Sequence, residues 1–140
     1  MQIIGFNFTK ISSERKKNPS GKMEIKSNIN LKNISQEKVD LIKDKDVLKF
    51  EFEFKIDYSP DIAIILFEGS ILAIVDKETQ KDVLKKWKTK KISDEVRLPL
   101  FNTILAKCNL KSLQLEDEFN LPMHVPMPRL SPPQEKGYVQ

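Results

Sequence analysis

One cysteine, Cys108, and one histidine, His124, are all that the 140 residues hold of either type. That count excludes an internal disulfide and leaves no Cys/His set for a structural zinc site. Cys108 falls on the apolar side of an expected helix and His124 in a proline-rich stretch, so they do not read as a nucleophile and its base. A buried, inert thiol is the expectation. Glycine is scarce too, at four residues, and no GxGxxG, P-loop, GxSxG or HExxH pattern occurs to cradle a phosphate or build a hydrolase site. No cofactor and no metal is implied, and an enzyme is not expected. No run of about 18 apolar residues is present, so a membrane span is not expected. The Met1 end lacks a basic n-region, a continuous apolar h-region and a small-residue cleavage site, and the expected location is cytoplasmic. Arginine is limited to Arg15, Arg97 and Arg129, so the net charge of +4 is carried by lysine.

What the chain does have is a long apolar stretch, Leu48 to Val75, broken once. In its first arm Leu48, Phe50, Phe52, Phe54, Ile56 and Tyr58 alternate with Lys49, Glu51, Glu53, Lys55 and Asp57, the period of a strand with one wet face. Ser59-Pro60-Asp61 supplies turn chemistry and Ile62 begins a return arm, which makes a β-hairpin. The return arm is apolar on both faces, with Ile62, Ile64 and Leu66 on one and Ala63, Ile65 and Phe67 on the other. One face is assigned to the helices that follow. The other, marked by Ala63, Ile65 and Phe67, exceeds what a solvated monomer should show and is expected to be an oligomer or client surface.

Two strands precede the hairpin. Met1 to about Ser13 places Ile4, Phe6 and Phe8 on one face. Met23 to Leu31 alternates Met23, Ile25, Ile29 and Leu31 against polar residues, after a Pro19/Gly21 turn. Asn33 to Asp46 reads as a mobile connection or irregular turn. After Val75 the period becomes helical. Asp76 to Lys91 carries Val83, Leu84 and Trp87 amid lysines, with Asp76 or Thr79 as N-cap. A second helix opens at Pro99, with Leu98 pushed out of the α region, and carries Leu100, Phe101, Ile104, Leu105 and Cys108 towards a stop at Asn109. Glu116-Asp117-Glu118 reads as a solvated turn rather than a cation site, because adjacent carboxylates point apart. Leu121 to Pro128 is extended, since its prolines fix φ and remove donors. The pattern describes an α+β fold, a four-stranded antiparallel sheet followed by two helices on one face. Residues 1–130 form a single domain and 131–140 a disordered tail. Lys85, Lys86, Lys88, Lys90 and Lys91 around Trp87 read as a solvated helix end. Phosphates or an acidic partner are the alternative, and nucleic acid is not an expected partner.

Four strands, the glycine of Glu68-Gly69-Ser70-Ile71-Leu72 after the fourth, a helix start at Leu98-Pro99-Leu100-Phe101-Asn102-Thr103-Ile104-Leu105 and an exit at Leu113-Gln114-Leu115 follow one another here. This order resembles the SecB export-chaperone family, as does the opening strand Gln2 to Ser12, and the likeness covers most of residues 2–130. The resemblance implies a SecB-like fold and an ATP-independent holdase that binds unfolded or exported polypeptide clients in apolar grooves. It implies a homo-oligomer as well, a tetramer built as a dimer of dimers. Phe101, Leu105, Leu113, Leu115, Met123 and Met127 are the residues suited to such a groove. A dedicated chaperone for one partner, such as an antitoxin, is the alternative role. The chain departs from the family in three places. Its loop from Ser13 to Lys22 is shorter and lacks aromatics, the Asn-Phe-Asp segment after the second helix is replaced by a Pro/Met run, and no acidic surface is evident. Docking to the export motor SecA is therefore not expected.

Overall fold

The alternation of residues 46–59 builds the central strand of a sheet whose two faces differ sharply. The computed structural model describes residues 1–40, 45–128 and 130–132. It contains β1 (Gln2–Arg15), β2 (Glu24–Glu37), β3 (Asp46–Ser59), β4 (Ala63–Val75), α1 (Lys77–Trp87) and α2 (Asp94–Glu118). The strands form one antiparallel sheet in the order β1-β4-β3-β2. Leu48, Phe50, Phe52, Phe54, Ile56 and Tyr58 are fully covered on one face of β3, and both helices pack against that face in a single core.

The expected hairpin turns at Ser59-Pro60-Asp61, and Asp61 takes a left-handed φ of 50°. Lys16 seals that end, its backbone N–H donating to the Ile62 carbonyl at 2.7 Å and its ammonium pairing with Asp61 at 3.1 Å.

β2 runs further than its sequence pattern. Asn33–Glu37, expected as connection, continue the strand, because the register shifts between Leu31 and Asn33. The extra residue of this bulge, Lys32, moves the inward phase from Ile29 and Leu31 to Ile34, so the alternation looks broken while the strand goes on. β1 carries two such shifts. Ile3, Phe6 and Phe8 pack on the core, and Ile4, expected beside Phe6, falls in the first irregularity. Of the expected connection, Leu41 and Ile42 lie outside the described residues, as does most of the tail 131–140.

α1 begins at Asp76, whose Oδ1 accepts from the Thr79 N–H at 2.7 Å, and that bond holds the carboxyl below its ordinary range. α1 stops at Trp87, short of Lys91, in a Schellman turn. Lys91 N–H donates to the Lys86 carbonyl, Lys90 N–H to that of Trp87, and Lys90 is left-handed at φ 59°.

α2 corrects three expectations. It starts at Asp94 rather than Pro99, since the Ser93 carbonyl accepts from Val96 and Arg97. Leu98 is helical. Pro99 sits inside, and the carbonyl that loses its helical donor belongs to Glu95, an exposed residue like Pro99 itself. Asn109 does not stop the helix; Asn120 does, left-handed at φ 55° in a second Schellman turn that closes Leu121 N–H on the Glu116 carbonyl. The inward residues are Val96, Leu100, Ile104, Cys108, Ser112 and Glu116, spaced by four. Each step overshoots a 3.6-residue turn by about 40°, so the buried stripe winds around the helix as it crosses the sheet.

Cys108 is buried, as expected of an inert thiol, and burial pushes its thiol up to about 12. The sign follows directly. A folded-state value raised above the unfolded one favours the protonated fold, so this contribution is complete below the unfolded value and is lost as pH rises through about 12. Native protein should resist thiol alkylation at pH 8 and react stoichiometrically once unfolded in urea. Rapid native labelling would show that Cys108 opens to solvent.

Candidate functional site

Two concave regions flank the ends of α2. The first is a groove of about 520 Å³ where α1 and α2 meet edge strand β2, lined by Ile29, Leu31, Trp87, Ile92 and Phe101 with Asn30, Lys32 and Lys90. The turn that ends α1 brings Lys90 back so that its ammonium stands 4.5 Å from the centre of the Trp87 ring. Arg97, which does not line the groove, lies 5.9 Å from the centre of the Phe101 ring and is tied to Asp94 at 2.9 Å. β2 is one of the two outermost strands and pairs only with β3 among the described residues, so its other edge presents open backbone groups beside this apolar wall.

The second is a cavity of about 360 Å³ at the C-terminal end of α2, lined by Leu113, Leu121, Met123 and Met127 with Glu116, Asp117 and Asn120. Its floor is a buried polar cluster. Glu116 has no exposed surface, and its Oε2 accepts from the Tyr58 hydroxyl, from the His124 backbone N–H at 3.1 Å and from His124 Nδ1 at 2.8 Å. His124 Nε2 meets Asn109 Oδ1 at 2.8 Å, and the Tyr58 hydroxyl also lies 2.9 Å from the Pro122 carbonyl. Burial first, and the Glu116 carboxylate second, raise the Tyr58 phenol well above its ordinary value, so it stays a donor at any working pH. These bonds clamp the extended segment from Leu121 onward against α2. Glu116 Oε1 and Ser112 Oγ find no protein partner among the described residues.

The six residues expected to share one groove are divided. Phe101 lines the first groove, and Leu113, Met123 and Met127 line the cavity. Leu105 is 38% exposed on the outer side of α2 between them, and Leu115 packs against the core. The Ala63, Ile65 and Phe67 face is not an outer surface. These residues are 4%, 0% and 0% exposed because they sit opposite Tyr58, Ile56 and Phe54, and cross-strand partners share a face. The uncovered side of β4 carries Ile64, Leu66 and Leu72, half-buried opposite Asp57, Lys55 and Lys49 of β3, and Ile74, half-buried opposite Val47. The acidic run is not a solvated turn either, since Glu116 points inward from the last turn of α2 and only Asp117 and Glu118 are exposed.

Trp87, Ile92, Ile29 and Leu31 were not singled out as groove residues, nor Tyr58 and Glu116 as a buried pair. Trp87 carried a signal, being the only tryptophan and lying at the end of an amphipathic helix.

No protein-family model matches the chain and no curated protein matches it. Among solved structures it is similar to the Rv1957 SecB-like chaperone of Mycobacterium tuberculosis, in complex with a ChAD peptide from the Rv1956 HigA1 antitoxin. The similarity has a TM-score of 0.52 at 14% sequence identity, over 95% of this chain and 92% of that one. The chain therefore has the fold of a SecB-like chaperone.

Proposed function

We propose that this protein is a cytoplasmic, ATP-independent holdase chaperone that holds unfolded or exported polypeptides as extended segments. The observation that carries this reading is the apolar groove of Trp87, Ile92 and Phe101 laid beside the open edge of β2. An extended segment placed there can bond to the strand's free N–H and C=O groups while alternate side chains enter the groove. Each fully desolvated apolar anchor contributes roughly 1.5–3 kcal/mol, so a few subsites retain a client without reading its sequence. The cavity of Leu113, Met123 and Met127 is a second subsite, suited to varied side chains by its methionines. Leu105, exposed with Leu98 and Leu110 on α2, extends the apolar surface between the two, or is covered in a homo-oligomer built as a dimer of dimers.

The test is light scattering of a chemically unfolded client on dilution. Stoichiometric protein should suppress its aggregation, and Trp87→Ala should weaken client binding about 30-fold, the effect of losing a hot spot worth about 2 kcal/mol. No suppression by the wild-type protein would sink the holdase reading. A second reading, a dedicated chaperone for one partner such as an antitoxin, is favoured by the antitoxin peptide bound to the similar structure. Recovery of one stoichiometric partner from the native host, with no effect on unrelated clients, would establish it instead.

A further inference from the structure

We propose that the groove between Trp87, Phe101 and β2 selects segments whose apolar core is flanked by aspartate or glutamate. This rests on the holdase reading and adds to it the charge of the client. Of the eight residues that line the groove two are lysines and none is acidic. Residues 85–91 add four more lysines, Lys85, Lys86, Lys88 and Lys91.

Partners within the chain account for only part of this charge. Lys86 is paired with Asp82 at 3.2 Å, and Lys32 is shared between Glu53 and Glu68 at 3.4 and 3.8 Å. Lys85, Lys88, Lys90 and Lys91 make no ion pair among the described residues. The C-terminal dipole of α1 offers about half an elementary charge, too little to balance four ammonium groups. The turn also places Lys90 in a left-handed conformation that favours glycine, and so sets an ammonium over the Trp87 ring at the groove. An acidic flank would meet this free charge while the apolar core fills the groove. Like-charged flanks would be repelled, which makes the rim a selectivity device.

Trp87 is the only tryptophan, so its emission reports occupancy by tryptophan-free peptides. Three peptides sharing one Phe/Ile/Leu core, flanked by glutamates, by serines or by lysines, are titrated into the full chain. At low salt the glutamate-flanked peptide should bind about 10-fold tighter than the serine-flanked one and the lysine-flanked one weakest, with the spread closing at about 0.5 M salt. Lys88→Glu/Lys91→Glu, at two exposed positions that do not line the groove, should abolish the preference and leave serine-flanked binding unchanged. Equal binding of the glutamate and serine peptides at low salt would overturn the proposal and leave the holdase reading standing. No response to any peptide would overturn both. Displacement of the glutamate-flanked peptide by an equimolar single-stranded oligonucleotide would overturn it in favour of nucleic acid.

Discussion

Glu116→Ala is expected to lower the free energy of unfolding by about 3–5 kcal/mol, the range seen when one partner of a buried charged network is removed. The carboxylate is fully covered, and one oxygen serves three donors from two distant parts of the chain, Tyr58 on β3 and His124 beyond α2. Alanine strands two of them. The Tyr58 hydroxyl keeps the Pro122 carbonyl at 2.9 Å, but the His124 backbone N–H and Nδ1 are left in a dry site beside a void. Glu116→Gln retains an amide oxygen in the same place and should cost about 1–2 kcal/mol, which separates loss of the acceptor from loss of the charge. Urea unfolding followed by Trp87 fluorescence gives both values. The segment from Leu121 to Pro128 should also become sensitive to proteolysis in the alanine variant under native conditions, because its polar anchors to α2 are gone. A loss below about 1 kcal/mol would mean that the cluster is satisfied by water instead.

That cluster was the least legible part of the chain, for a physical reason. Glu116 stands beside two exposed carboxylates, and nothing local distinguishes the one that faces inward. The one usable signal was at the other end of the contact. Tyr58 closes the inward alternation of β3, and a buried phenol needs a partner. The hairpin, by contrast, was legible down to its turn, because period-two patterning and a Ser-Pro-Asp break act over neighbouring residues. The faces of β4 were misassigned although the turn determines them. With Tyr58 opposite Ala63 across residues 59–62, the inward phase of β3 passes directly to Ala63, Ile65 and Phe67. Bulges defeat this kind of reading, since one added residue such as Lys32 inverts every later position of the strand. Helix ends were missed because Lys90 and Asn120 occupy the left-handed positions where glycine is the usual mark, and because Pro99 signalled a start that Ser93 had already made. Of the candidate site, single apolar residues such as Phe101, Met123 and Met127 were legible. Their division between two regions depends on a helix that runs to Glu118 and carries them apart.

Gly69→Ala should destabilise the fold by about 3 kcal/mol, towards the upper end of overpacking costs. The sequence pattern places this glycine after the fourth strand, yet it lies inside β4, with Phe8 opposite it on β1 and Phe52 on β3. Its role is space, not an unusual backbone angle. A Cβ would stand 2.8 and 2.9 Å from two ring carbons of Phe52 and closer still to the Asn7 carbonyl oxygen. The ring uses the room: Phe52 packs on Phe6 at 5.4 Å between centres, and Phe6 meets Phe8 edge-on at 5.0 Å. The bare glycine backbone therefore forms the floor under three aromatic side chains, between the two strands on either side. Neither obstacle yields easily, since the ring is held by its neighbours and the carbonyl belongs to a paired strand. A double-mutant cycle tests the cause. Phe52→Leu alone should cost about 1–2 kcal/mol by loss of contacts, and combined with Gly69→Ala the total should fall short of the sum by about 1 kcal/mol. The ring clash is relieved in the pair and the carbonyl clash is not, so rescue is partial. Strict additivity would show that Phe52 does not approach Gly69 as closely as described.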